Sequence, residues 1–464
     1  MLGTLSGGKL TLEEIHRFPS AVIQKNDSLR WDVDGIFAAL QKGIELASKK
    51  VPNIASLSVD SWGVDYVLLG SDGVKLDDPH HYRDERTDAV FPKIRQQLGD
   101  EMIFAETGIQ FLHFNTLYQL ASENPGDLAR AKTFLTIGDY FNYRFSGVAV
   151  IEQSLASTTQ LYNPKTRQWS QRLIDAAGFP PTLFPKIVPS GTLLGAVKTE
   201  ASSSVIQVIA TCSHDTGAAI AAVPAQPGKD WAYLSSGTWS LLGVELDSPN
   251  ISEKVREHNF TNEAGYGGTT RFLKNIVGLW ILQECRRSWA ANHNDYTYSW
   301  LMQQASAAKP LRSLIHPSDD RFMKPGGMPE KIIAYCQETQ QPVPETPGQF
   351  TRCILESLAL LYQQTLQEIE ELTGRHLSCI HIVGGGSQSE LLNQFSADAT
   401  GRPVHAGPVE ATAIGNILVQ ALALGHLTSL AEGRQLVADS FPFITHQPQQ
   451  TTAWLKACEK FKSL

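Results

Sequence analysis

HIVGGGSQSELLNQFSADATG (381–401) changes its period within one short run. Ile380 to Val383 reads as a strand, Gly384, Gly385 and Gly386 break it, and Ser387 to Thr400 reads as a helix that Gly401 stops. A strand feeding a glycine turn that feeds a helix start is a nucleotide-binding arrangement, because free backbone N–H groups meet there. The spacing is not G-x-G-x-x-G, so a dinucleotide site is not supported. A tight structural turn is the other reading of the three glycines.

Strand-like and helix-like segments alternate along the rest of the chain, which argues an α/β fold. Downstream, Glu410 to Leu424 forms a further expected helix closed by Gly425; upstream, Ile354, Leu358, Leu361, Leu366, Ile369 and Leu372 fall at helical spacing, with Gly374 as the stop. Trp231 to Leu234 and Ser240 to Val244 are expected strands flanking Ser235-Ser236-Gly237-Thr238. That turn reads either as a plain hairpin or as a cradle of backbone N–H groups for phosphate oxygens, with Gly237 allowing close approach and Thr238 adding a hydroxyl. Val205 to Thr211 is β-rich and ends in Ser213-His214-Asp215-Thr216-Gly217. An acid at a strand end, beside a histidine, is suited to accept a hydroxyl proton; it is equally suited to cap a helix. Ile54 to Asp60 and Val64 to Leu69 are expected to form a hairpin across Ser61-Trp62-Gly63, with Tyr82-Arg83-Asp84-Glu85-Arg86 following. Trp, Arg and Asp there either bind a sugar face and its hydroxyls or make a hairpin beside a solvated charge cluster.

Near the start, Gly3, Gly8 and Lys9 imitate part of a P-loop, but Leu10 stands where Ser or Thr must hold Mg²⁺ and no strand precedes Gly3. Ser6-Gly7-Gly8-Lys9 is instead expected to be a hairpin turn between Met1–Leu5 and Leu10–Arg17.

The chain has 464 residues, too many for one core, and 19% are charged with a formal net charge of −8. That balance argues against a nucleic-acid partner. No run of 18 apolar residues predicts a membrane span and no secretory pattern opens the chain, so a cytoplasmic protein is expected. Two prolines and a glycine in Val223-Pro224-Ala225-Gln226-Pro227-Gly228 place the expected boundary, giving domains 1–224 and 225–464, with a ligand cleft expected between them. Six cysteines show no CxxC or Cys/His zinc spacing; Cys336 and Cys353 are the pair to watch for a bridge.

The segments LTLEEIHRF (10–18), SVDSWGVDYVLL (58–69), YRDERTD (82–88), TGIQFLHFNTLYQL (107–120), SHDT (213–216), AYLSSGTWSLLG (232–243), LKNIVGLWILQE (273–284), DDRF (319–322) and HIVGGGSQSELLNQFSADATG (381–401) together resemble the FGGY carbohydrate kinases in order and spacing. The 107–120 and 273–284 segments are most similar to members acting on L-rhamnulose rather than on xylulose, glycerol or fuculose. The resemblance implies two ribonuclease-H-like domains of the actin and hexokinase type flanking a central cleft. It implies transfer of the γ-phosphoryl group of ATP to L-rhamnulose, with Mg²⁺ bridging the phosphates. By resemblance Asp215 falls on the catalytic base, Gly63, His214, Thr216 and Asn275 on sugar-binding positions together with Asp215, Thr238 on a phosphate position, and Gln283 and Gly385 on nucleotide positions. No metal ligand is assigned. Family members begin about twenty residues earlier, with a strand and an Asp- and Gly-bearing turn, so the first strand and phosphate turn of the first domain are expected to be missing here. A kinase for another ketose, or a non-catalytic binding relative, shares the same motifs.

Overall fold

The computed structural model describes residues 1–197, 205–225 and 230–464. Two compact units emerge. The first holds Met1–Pro224, Glu245–Phe272 and Thr412–Ser440; the second holds Ala225–Val244, Leu273–Ala411 and Phe441–Leu464. The expected boundary after residue 224 is therefore the first of several crossings, the others following Val244, Phe272, Ala411 and Ser440. Of the segment Val223–Gly228, residues 226–228 lie outside the described residues.

In the first unit, strand Leu2–Ser6 pairs antiparallel with Lys9–Glu13. Gly7 and Gly8 make the turn at φ +57 and +72, a backbone that glycine adopts without strain. This is the expected hairpin and not a P-loop: Lys9 Nζ donates to the backbone carbonyl of Asp439. Gln207–Ala210 sits between Thr192–Ala196, antiparallel, and Ser56–Leu57, parallel. Just beyond these strands Ser61 bridges His214 in parallel, so the two chain segments leave the sheet side by side. The core is aromatic and aliphatic, with Val33, Val67, Phe134, Leu135, Ile137 and Val208 fully buried.

The hairpin expected from Ile54–Asp60 and Val64–Leu69 does not form. Tyr66–Leu69 pairs instead with Thr133–Thr136. The cause is local: Val64 takes φ +69, and buried Asp65 gathers indole N–H donors from Trp31 at 2.7 Å and Trp62 at 2.9 Å, an amide from Gln119 at 2.8 Å and the backbone N–H of Tyr82 at 3.2 Å. The chain is thus turned away from its own preceding strand. The Tyr82–Arg86 run is not a solvated cluster either: Asp84 accepts from Ser28 and Leu29, and Arg86 pairs with Glu123 at 2.8 Å, both nearly buried.

In the second unit, Trp231–Ser236 pairs antiparallel with Trp239–Leu246 and parallel with Cys379–Val383, which continues to Val404–Ala406 and Ile444–His446. The 27-residue helix Pro347–Thr373 covers this sheet, and its Tyr362 hydroxyl meets Ser240 Oγ at 2.7 Å. Gly374 ends it at φ +68, as expected. The helix after the glycine turn begins later than expected, at Glu390, because a 3₁₀ turn over Gly385–Gln388 comes first; it ends at Thr400 before Gly401. The next helix runs Ala411–Ala423. Cys336 and Cys353 are both buried free thiols and form no disulfide. Among the described residues no helix is long and apolar enough to cross a membrane.

Candidate functional site

Asp215 opens the helix Asp215–Ala221 where the Gln207–Ala210 strand gives out. The helix cap is His214; Asp215 is its first residue, and its Oδ1 takes the backbone N–H and, at 3.2 Å, the hydroxyl of Thr216. Its backbone is fixed from two sides. The Asp215 N–H donates to Ser61 O at 2.9 Å, and Thr412 Oγ1 donates to the Asp215 carbonyl at 3.2 Å. The helix can start this close to the neighbouring chain because Gly217 is bare: a Cβ there would lie 2.6 Å from Cys212 Sγ.

The Asp215 side chain keeps 44% of its exposure. The protein massed around it nevertheless raises its pKa above the usual carboxylate range by desolvation, against the hydrogen bonds from Thr216 and the charge of Arg271. Beside it, His214 is buried and held well below its ordinary pKa, first by desolvation and then by Arg271. It is neutral at physiological pH. Arg271 donates to His214 Nδ1 at 3.1 Å, which leaves the proton on Nε2, the nitrogen facing Asp215 Oδ1 at 3.5 Å. Arg271 is itself fully buried, paired with Glu263 at 3.0 Å and donating from Nε to the Ala264 carbonyl at 3.1 Å. Glu263, Arg271, His214 and Asp215 thus form one line of alternating charge and donor.

A second acid lies close by. Asp60 accepts from the Asn416 amide, and its pKa is pushed up to about 6, by burial first and also by the charge of Asp215. Gly63 follows two residues after the Ser61–His214 bridge, and a Cβ on it would press on Thr158 at 2.9 Å. The first unit therefore brings together Gly63, His214, Asp215 and Thr216, and adds Asp60, Glu263, Arg271, Thr412 and Asn416. Sequence reading gave no role to Glu263, Arg271, Thr412 or Asn416. One signal was available: an arginine inside the apolar strand run Thr270–Val277 is either on a wet edge or buried with a partner.

In the second unit, Gly237 and Thr238 make the turn between two strands. Their carbonyls accept from Leu279 at 3.0 Å and from Gly278 at 3.1 Å, which ties the turn to the start of the helix Trp280–Ala291. One helical turn in, Gln283 Oε1 accepts from Thr238 Oγ1 at 3.2 Å. Two positions named on resemblance, Thr238 and Gln283, are thus hydrogen-bonded partners. The glycine turn packs on the same hairpin. A Cβ on Gly386 would lie 2.0 Å from Ser236 Oγ, and one on Gly384 3.1 Å from Ser236 O, with Gly384 also at φ +83. A Cβ on Gly385 would meet nothing within 4 Å. Gly384 and Gly386 are explained by packing within the chain, whereas Gly385 faces open space. Asn275 is half-buried on the strand Thr270–Val277, in the part that belongs to the second unit.

Residues 9–222 match the N-terminal domain and residues 232–424 the C-terminal domain of the FGGY family of carbohydrate kinases. The chain is 42% identical over 470 residues to a rhamnulokinase of Bacteroides thetaiotaomicron, covering 100% of this chain and 96% of that protein. It is 42% identical to a rhamnulokinase of Enterococcus faecalis, covering 97% and 92%. Among solved structures it is similar to a xylulose kinase of Lactobacillus acidophilus, with a TM-score of 0.79 at 18% identity over 96% of this chain and 91% of that one. A gluconate kinase of the same organism superposes with a TM-score of 0.80 at 18% identity, covering 98% and 93%.

Proposed function

The chain belongs to the FGGY family of carbohydrate kinases, and from that premise we propose that it transfers the γ-phosphoryl group of ATP to the 1-hydroxyl of L-rhamnulose. The likeness to rhamnulokinases over nearly the whole chain supports the choice of sugar. The chemistry rests on one observation: a solvent-facing acid of raised pKa stands beside a neutral histidine whose tautomer is fixed by a buried Arg–Glu pair.

In this reading Asp215 accepts the proton of the sugar hydroxyl as its oxygen attacks the γ-phosphorus, and the P–O bond to ADP breaks. A raised pKa suits the task, because a carboxylate of ordinary acidity is a poor base near neutral pH. His214 offers Nε2–H to a sugar oxygen, and Gly63 and Thr216 line the same place. Thr238, Gln283 and Gly385 are assigned to the nucleotide, with Gly385 leaving room for a phosphate to approach the backbone. Asn275 is assigned to the sugar on resemblance alone.

ATP in this family carries Mg²⁺, which neutralises phosphate charge. The first unit has carboxylates that fit a hard, oxygen-seeking ion. Asp60 and Asp215 repel one another, and Asp60 is the donor that would hold the cation while Asp215 keeps its oxygen for the sugar.

The test is ATP-dependent phosphorylation of L-rhamnulose, L-fuculose, D-xylulose and glycerol under one set of conditions. L-Rhamnulose should show the highest kcat/KM, since a misplaced hydroxyl leaves a buried polar group unpaired at a cost of about 1–3 kcal/mol. A preference of about tenfold, or roughly 1.4 kcal/mol, for xylulose or fuculose overturns the assignment.

A further inference from the structure

Cys379, His381 and His405 each offer a ligand atom, and these atoms lie within 4.8 Å of one another. None of them has a part in the phosphoryl-transfer reading. The sheet brings them together. Cys379 and His381 are two residues apart on the strand Cys379–Val383, so both side chains leave the same face. His405 is the direct parallel partner of His381 on Val404–Ala406.

We propose that these three side chains bind one zinc ion. A thiolate and two imidazoles are a borderline-to-soft donor set that favours Zn²⁺ over Mg²⁺ or Ca²⁺, which seek oxygen. In a tetrahedral site with Zn–S and Zn–N bonds of about 2.3 and 2.0–2.1 Å, neighbouring ligand atoms stand roughly 3.5 Å apart. The three atoms already lie within 4.8 Å of one another, on strands fixed by pairing from Ile380↔Val404 to Ile382↔Ala406. The surroundings suit the ion as well. Thr445 Oγ1 lies 3.0 Å from His405 Nδ1, and in the tautomer that donates to it, Nε2 keeps its lone pair for the metal. Trp231 stands edge-on to the His381 ring at 5.7 Å, and Phe443 packs on the His405 ring at 5.1 Å, so apolar rings wall the group. His381 is buried, while Cys379 and His405 are partly exposed and leave an entry path and a fourth position for water. Gly384 lies three residue steps beyond His381, about 10 Å at 3.3 Å per step, so the ion stands clear of the glycine turn.

The ion would clip two neighbouring strands of the second unit together, and binding to the folded chain alone raises its stability. The experiment strips the full chain of metal with a chelator, dialyses it against Zn²⁺ in excess Mg²⁺, and counts bound zinc by elemental mass spectrometry. One zinc per chain is expected, with a rise in Tm. The double variant Cys379→Ser, His405→Asn should bind zinc at least about tenfold more weakly, the smallest loss usual even for removal of a mere outer-shell partner. Cys379 is the one cysteine of six that is not buried, so a second readout uses the unaltered chain: zinc should slow alkylation of Cys379, mapped by peptide mass, by at least about tenfold. Equal zinc uptake by the parent and the double variant overturns the proposal. So does an alkylation rate at Cys379 that zinc leaves unchanged, and this arm decides the matter if the double variant does not fold.

Discussion

A carboxylate that must take a proton in the transition state works only when it arrives deprotonated, so the position of its pKa is part of the mechanism. For Asp215 desolvation raises it, and the Thr216 hydrogen bonds and Arg271 pull it back. Asp215→Asn keeps the shape and removes the proposed base; kcat should fall by roughly 10²–10⁴-fold with the KM for ATP little changed, and near-normal turnover would remove Asp215 from the role. His214 behaves oppositely: its folded pKa is depressed, so the stability it lends is fully present above about pH 6.5 and is lost as pH falls below that. Asp139 supplies a separate test of buried charge. Buried, hydrogen-bonded by Thr136 at 2.5 Å and the Glu152 N–H at 3.1 Å, it is pushed up to about 8 by desolvation first. For an acid raised in this way, stability is fully present below about pH 4 and is lost as pH rises through the folded value. Asp139→Asn should therefore flatten the fall in Tm between about pH 5 and pH 8, as scanning calorimetry of both proteins would reveal; parallel pH profiles would count against a protonated Asp139.

At the scale of elements, the glycine turn separates packing from ligand. Gly386→Ala should drive a methyl into Ser236 and destabilise the chain by about 1–3 kcal/mol in urea melts. Gly385→Ala should melt like the parent yet raise the KM for ATP, because the added methyl meets only open space. If both variants melt alike and bind ATP alike, Gly385 has no nucleotide role. The same region marks what sequence alone could reveal. Strand, glycine turn and helix were legible at 381–401 because period and glycine stops are local. The Thr238–Gln283 bond was not, since it joins a hairpin tip to a helix 45 residues on. Nor was the fate of Tyr66–Leu69: alternation marks a strand but not its partner, and the choice of Thr133–Thr136 goes with Asp65, three of whose donors, Trp31, Gln119 and Tyr82, come from distant segments. Asp215 stood out as an acid at a strand end, while the Arg271–Glu263 pair that fixes its neighbour is a matter of tertiary contact alone.

On the scale of the molecule, the first unit is built from three pieces, and the last of them, Thr412–Ser440, is spread over its working parts. Leu10 N–H donates to Ser440 Oγ at 2.9 Å, Ser56 Oγ to Gln420 at 2.7 Å, Asn416 to Asp60 and Thr412 to the Asp215 carbonyl. The helix Ala411–Ala423 passes so near Asp215–Ala221 that a Cβ on Gly415 would lie 1.8 Å from Ala218 O. A chain cut after Ala411 should consequently lose the near-ultraviolet circular dichroism of both units, not the second alone; retention of a cooperative melt for residues 1–224 in that fragment would contradict the interleaved architecture. The ribosome makes this protein from one end, at about 5–20 residues per second. After Phe272 has been joined, about 7–28 s pass before Thr412 exists, and through that interval the acid at residue 215 has no hydroxyl on its carbonyl and Asp60 no amide. A polypeptide that ends before residue 412 therefore lacks the hydroxyl and the amide that hold Asp215 and Asp60 in the whole chain.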